Sequence, residues 1–259
     1  MQILLTNDDG IHAAGIRALE QELQSLGDVS LVAPATEQSG VAHSITFLRP
    51  LVATETFESG RHRGWAVDGS PADCVKLGVT KFCPRRPDLI VSGINGGLNA
   101  GINVLYSGTV AAAIEGAFFG IPSVAVSLEY EALPYCNQAA KWATEIINAL
   151  MKTPSDGTRL YNLNFPTAAV TGTVTPRVRV VPMGCARYGE QFLERTDPRG
   201  RVYYWATNDP DPPGEGLDTD LTALKNGEIT VTPLKFDMTY HERLATVEQT
   251  PFDLSPLGS

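Results

Sequence analysis

The chain has 259 residues, room for one large α/β domain or a core with a smaller appendage, and its 43% hydrophobic content is ample for a packed interior. Twenty-nine acidic against 20 basic side chains leave a formal charge of -9 with no basic run, which argues against a nucleic-acid backbone as the main partner. Cys74, Cys83, Cys136 and Cys185 show no Cys-x-x-Cys pair and no zinc-site spacing, and with no leader peptide and no apolar run of about 18 residues the sequence reads as soluble, off the membrane and cytoplasmic.

The apolar run Ile3-Leu4-Leu5 ends abruptly in Asn7-Asp8-Asp9-Gly10 and is followed by a helical pattern. This predicts a buried parallel strand delivering two adjacent carboxylates to the sheet edge where open α/β sheets bind ligands. Successive strand residues face opposite ways, so Asp8 and Asp9 converge only if the chain turns there, as Gly10 permits. Two acids repel phosphate unless a cation lies between them; the bland alternative is a plain turn, which the same residues favour.

Ile16, Leu19, Leu23 and Leu26 recur at helical spacing within a helix expected over His12 to Leu26, and Val29 to Ala33 supplies a second strand, completing a βαβ unit. The loop Pro34 to Gly40 then lies beside Asp8 and Asp9, where Ser39 is placed to lend a hydroxyl to a cation, its alternative being a surface serine. His43 is a candidate proton donor or phosphate contact, or else a structural hydrogen bonder. Thr46 to Ala53 and Gly64 to Val67 read as two strands turning around Glu58-Ser59-Gly60, a hairpin insertion over about 46–67. Ser70-Pro71-Ala72-Asp73 carries a helix cap that accounts for Asp73 without catalysis.

Asp88 to Ser92 is another buried strand, running into a loop from Gly93 to Gly108 with five glycines and three asparagines. A long loop closely flanked by regular elements reads as functional. Asn95 sits just past the strand end with an oxygen suited to a hard cation. Ser107-Gly108-Thr109 opens the helix Val110 to Phe119, and free amides at a helix start form an anion site, although serine and threonine there also serve as caps. Asn95, Gly96, Ser107, Gly108 and Thr109 are the candidate phosphate contacts. Ile121 to Ser127, Gln138 to Met151 and Leu160 to Phe165 add a strand, a helix and a strand that closes the core.

Beyond Pro166 the pattern turns β-rich, with strands expected at Val178 to Val181, Val202 to Ala206 and Glu228 to Thr232 around a Pro/Gly/Asp-rich loop, Asn208 to Gly216. No linker is evident, so residues 1–166 are expected to form the core with the site, and 167–259 an elaboration rather than an independent domain. Tyr203, Tyr204 and Trp205 suit either base stacking or strand packing. The tail from Phe236 has little core-like pattern and is a candidate for folding over a neighbouring subunit.

Aspartates, a hydroxyl and a carboxamide are hard oxygen ligands, suited to Mg²⁺ or Mn²⁺. With no P-loop motif, phosphate-ester hydrolysis through a metal-activated water leads, with Asp8 and Asp9 as the catalytic pair. A covalent aspartyl-phosphate enzyme is less favoured because the acids are adjacent rather than spaced Asp-x-Asp, and a non-hydrolysing nucleotide sensor is the alternative from another class.

Taken together, Ile3 to Gly10, Ala33-Pro34 with Gln38-Ser39-Gly40, Gly69 to Val75, Val91 to Asn95, Tyr106 to Val110 and Ile229 to Leu234 resemble the SurE family over nearly the whole chain. The resemblance implies a Rossmann-like three-layer sandwich around a mostly parallel sheet. It implies one divalent ion held by Asp8, Asp9, Ser39 and Asn95, and 5'-nucleotidase activity on nucleoside monophosphates, with tolerance for 3'-nucleotides and short polyphosphate. It also implies homodimers or homotetramers built through the hairpin and an exchanged tail. One departure is Ser70, where the family usually has threonine; either caps a helix.

Overall fold

A computed structural model describes residues 1–155, 157–173, 175–185, 191–207 and 218–252. The strand β1, Gln2–Thr6, is wholly buried, as its apolar run requires, and leads into the amphipathic helix α1, Ala14–Leu23, and the strand β2, Asp28–Pro34. β1 and β2 are parallel, so the βαβ unit forms as expected.

The hairpin differs from its sequence reading. Its strands are β3, Ala53–Glu58, and β4, Arg61–Val67, and residues 46–52 carry no regular structure. Pro50 offers no N–H to a ladder, and the Thr46 N–H is instead bound to the Asp73 carboxylate at 3.0 Å. The hairpin is part of the main sheet, because β4 runs parallel to β2 and extends it.

Helix α2, Pro71–Leu77, starts with the expected capping box, Ser70 with Asp73. The strand β5, Leu89–Gly96, is longer than its apolar run, and its pairing with β6, Ser123–Leu128, slips between Ser92 and Asn95. Asn95 and Gly96 therefore belong to a strand end, and the glycine-rich loop begins after them. That loop contains a short 3₁₀ segment, Gly101–Leu105, and leads into α3, Gly108–Phe118. After β6 come α4, Cys136–Lys152, β7, Leu160–Phe165, and the short α5, Thr167–Thr171.

The remaining elements are β8, Val178–Val180, the pair β9, Gln191–Thr196, and β10, Val202–Thr207, then α6, Asp220–Lys225, β11, Ile229–Pro233, and α7, His241–Glu248. The loop expected over Asn208 to Gly216 lies outside the described residues. Among the described residues the main sheet has nine strands in the order β3-β4-β2-β1-β5-β6-β7-β11-β8, parallel from β4 to β7 and antiparallel where β3 meets β4 and β7 meets β11. β9 and β10 form a separate antiparallel pair.

Helices cover both sheet faces, giving the three-layer α/β sandwich. Ile3, Leu5, Val91, Val126 and Leu163 pack with Ile16, Leu19 and Ile147 of α1 and α4, while Leu4, Val32 and Ile90 pack with Val75 of α2 and Ala112 of α3. β1 lies centrally, so whatever follows its carboxyl end is flanked by the loops after β2 and β5. That is the geometry in which side chains from distant segments converge.

Candidate metal and phosphate site

The chain leaves β1 through a tight turn in which the Asn7 side-chain amide donates to the Gly10 carbonyl at 2.9 Å. Gly10 adopts φ 96°, a conformation that favours glycine. The turn places Asp8, 5% exposed, under the start of α3 and leaves Asp9 half-buried. Asp8 Oδ2 accepts from the Thr109 N–H at 3.0 Å, and Oδ1 accepts from the Thr109 hydroxyl. Glycine eases this close approach, since a Cβ on Gly108 would stand 3.1 Å from Asp8 Cβ and Oδ2, close enough that Asp8 would have to give by a few tenths of an ångström.

Asp9 Oδ2 accepts from the Gly96 N–H at 3.0 Å, and the Asp8 carbonyl accepts from the Gln38 N–H at 2.7 Å. The end of β1, the loop after β2, the end of β5 and the start of α3 thus meet, as the sequence pattern required.

Burial is the largest influence on Asp8. The Thr109 hydroxyl opposes it and the Asp9 charge reinforces it, leaving the Asp8 carboxyl pushed up from 3.8 to about 6. Asp9 is also raised, first by burial, with the Gly96 amide opposing and the Glu37 charge reinforcing. Among the described residues neither carboxylate pairs with a lysine, arginine or histidine. Two acids held in a partly dry corner without a counter-charge form a donor set that fits a hard divalent ion, which relieves this cost. Each Asp8 oxygen keeps a further lone pair after its bond to Thr109.

The other expected contacts are distributed unevenly. Asn95 pairs across the strands with Ser127, and its amide nitrogen donates to the Gly97 carbonyl at 2.7 Å. Ser39 is exposed, with its hydroxyl donating to Glu37 Oε1 at 2.6 Å. Of the amides that open α3, Val110 serves the Ser107 cap at 3.1 Å and Thr109 serves Asp8, leaving Gly108. The helix start has fewer groups left for an anion than its sequence suggested, because Thr109 is taken up by the Asp8 carboxylate.

His43 does not stand free. Its Nε2 lies 2.8 Å from Glu115 Oε2, while Lys76 Nζ donates to Glu115 Oε1 at 2.6 Å. Burial pushes the Glu115 carboxyl up, but the bonds from His43 and Lys76 prevail and hold it below the usual range. The His43 ring also stacks on Phe118, centroids 5.3 Å apart. Tyr203 and Trp205 pack edge to face at 6.5 Å on β10, which among the described residues pairs only with β9.

Sequence reasoning missed Glu37 and Glu115. Glu115 lies inside an alanine-rich helix, and its carboxylate is visible only as a polar residue interrupting an apolar stretch. It also missed Asp220, buried on α6, whose carboxylate accepts from the N–H groups of Gly101, Gly184 and Leu221, each at 2.8 Å. Asp220 thereby pins the loop between β5 and α3 from the far end of the sequence. Asn99 pins it again, its N–H reaching Asn164 Oδ1 and its side-chain amide reaching Ser127 Oγ, both at 2.8 Å.

Comparison with known proteins finds a match to the family model for survival protein SurE over residues 3–190. A 5'-nucleotidase SurE of Rhodopirellula baltica is 54% identical over 258 residues, spanning 99% of this chain and 100% of that protein. One from Pelotomaculum thermopropionicum is 45% identical over 96% of each chain. Among solved structures, the SurE protein from Aquifex aeolicus superposes with a TM-score of 0.80 at 34% identity, covering 96% of this chain and 98% of that one.

Proposed function

The chain belongs to the SurE family, and from that membership we propose that it hydrolyses nucleoside 5'-monophosphates to nucleoside and phosphate, as the names of its relatives say of them. The observation that carries this reading is the meeting of Asp8 and Asp9 with the start of α3 at one sheet edge. Activity extends in this proposal to 3'-monophosphates and short polyphosphate.

One divalent ion per subunit, Mg²⁺ or Mn²⁺, is held in this reading by Asp8, Asp9, Ser39 and Asn95. Such an ion supplies Lewis-acid polarisation and lowers the pKa of bound water. The chain's own groups do the rest. Thr109 fixes the Asp8 carboxylate, Gly96 fixes Asp9, and the Gly108 amide with Asn95 and Ser107 orients a tetrahedral oxyanion. Engagement of both Asp8 oxygens by Thr109 counts against Asp8 as a free covalent nucleophile.

A cytoplasmic setting is proposed from the four free cysteines and from the lack, among the described residues, of a helix long and apolar enough to cross a membrane. A homodimer or homotetramer is proposed from apolar surface left open, Phe47 at 83% and Leu48 at 95% beside the hairpin and Met238 at 82% in the tail.

The test is phosphate release from AMP and GMP with Mn²⁺ or Mg²⁺. Turnover is expected to vanish in excess EDTA and in folded Asp9→Asn protein; full activity in either case overturns the reading.

A further inference from the structure

The Ser39 loop is poorly supported by its own sequence. It contains two left-handed residues, Gly40 at φ 67° and Ala42 at φ 51°, and the latter conformation disfavours any residue with a Cβ. Such conformations persist where surrounding contacts enforce them. The loop is tied at one end by Gln38, whose N–H reaches the Asp8 carbonyl, and at the other by Ser44, whose carbonyl accepts from the Ser70 hydroxyl at 2.7 Å. Between those ties, among the described residues, two hydrogen bonds reach outside the loop: Ala42 N–H to the Tyr106 carbonyl at 3.0 Å, and His43 to Glu115.

Glu115 is well placed for this task. Its side chain is 4% exposed and rises from α3, the helix whose first turn holds Asp8. One carboxylate oxygen takes His43 and the other takes Lys76 from α2, so its buried charge is compensated within a fixed fork. His43 is itself backed by the Phe118 ring one turn further along α3. The Glu115 contact takes up Nε2, which favours an anchoring over a proton-donating use of the imidazole.

We propose that Glu115 is a positioning residue, latching the Ser39 loop onto α3 through His43 so that the loop's oxygen ligand is presented to the divalent ion. The inference rests on the metal-site reading above and adds two residues that themselves touch neither metal nor substrate. Removing an outer partner that orients a ligand typically weakens metal binding by about 10- to 100-fold.

The experiment compares the full chain with Glu115→Gln, His43→Ala, His43→Gln and the double variant Glu115→Gln/His43→Ala. Metal-stripped proteins are titrated with Mn²⁺ by calorimetry, and amide exchange of residues 39–43 is followed without metal. Glu115→Gln and His43→Ala are expected to bind Mn²⁺ at least about tenfold more weakly and to exchange these amides faster. The double variant should be no worse than either single one. His43→Gln, which still donates to Glu115, should restore most of the affinity, and kcat for AMP at saturating Mn²⁺ should stay near the parent value.

Unchanged affinity and exchange in both single variants overturn the proposal. So does a His43→Ala protein that binds Mn²⁺ normally but loses kcat, since His43 would then be catalytic. Should Glu115→Gln fail to fold, the His43 pair, altering a side chain that is only partly buried, carries the same comparison. A parent protein that binds no Mn²⁺, or an Asp9→Asn protein that binds it equally well, overturns the metal reading instead. The exchange measurement, made without metal, still decides the latch.

Discussion

Replacing Asp8 by asparagine separates the cost of the buried charge from its use. An acid whose folded pKa is raised holds its proton more tightly in the native state. Stability is therefore highest below the unfolded pKa and declines as pH rises from 3.8 to about 6. At about 1.4 kcal/mol per tenfold change in acidity, the full penalty above pH 6 is about 3 kcal/mol. The substituted carboxamide keeps the shape of the side chain, and the Thr109 hydroxyl can reverse to accept from its amide, but charge-assisted bonding is lost at about 1 kcal/mol. Metal-free Asp8→Asn protein at pH 7.5 should therefore be about 2 kcal/mol more stable than the parent, an increase in Tm of roughly 4–8 °C for a chain of this size. The advantage should shrink at pH 5. Saturating Mn²⁺ should reverse the order, because an ion at about 100 times its Kd adds about 2.7 kcal/mol to the parent alone. Calorimetric melting in EDTA and in Mn²⁺ at the two pH values reads all four cases. A substituted protein that melts below the parent in EDTA at pH 7.5 refutes the reasoning.

Three further outcomes are expected. Thr109→Val removes the hydroxyl that meets Asp8 Oδ1 but keeps the N–H bond; Mn²⁺ affinity should fall by about tenfold, read by calorimetry. Asp220→Asn turns one acceptor oxygen into a donor among three backbone N–H groups, and urea denaturation should show a loss of about 2–3 kcal/mol together with faster proteolysis between Gly97 and Tyr106. Asp73→Ala removes the acceptor shared by the N–H groups of Ser70 and Thr46, and should cost about 1–2 kcal/mol with faster amide exchange at Thr46.

What the sequence made legible is what local chemistry determines. Ile3 to Leu5 is continuous apolar chain, and its strand formed; Ser70 and Asp73 are three residues apart, and their capping box formed. The convergence of Asp8, Asp9 and the α3 start followed from strand order alone, since a βαβ unit fixes which loops share an edge. Bonds between distant residues left no trace. Thr109 reads in sequence as a phosphate contact or a cap, yet its hydroxyl meets Asp8, 101 residues away; His43 reads as a proton donor, a phosphate contact or a structural hydrogen bonder, and only Glu115, 72 residues on, decides for the last. Strand limits erred where backbone geometry outweighs composition. β5 continues past the slip to Asn95 and Gly96 because β6 supplies ladder partners there, and β4 joins the sheet by pairing with β2. Tertiary pairing overrides strand propensity at such places.

The place of β11 has a consequence for how the protein is made. It enters the sheet between β7 and β8, late in the chain, just after Asp220 has fixed Gly101. During synthesis from the amino terminus, Asp8, Asp9, Ser39 and Asn95 all emerge well before either feature exists. A chain interrupted near residue 215 would carry every proposed ligand yet leave the glycine-rich loop without one of its pins and β7 without its second neighbour. Competence would then arrive only with the final stretch of the polypeptide, so a fragment released early would hold the ligands without the organised site.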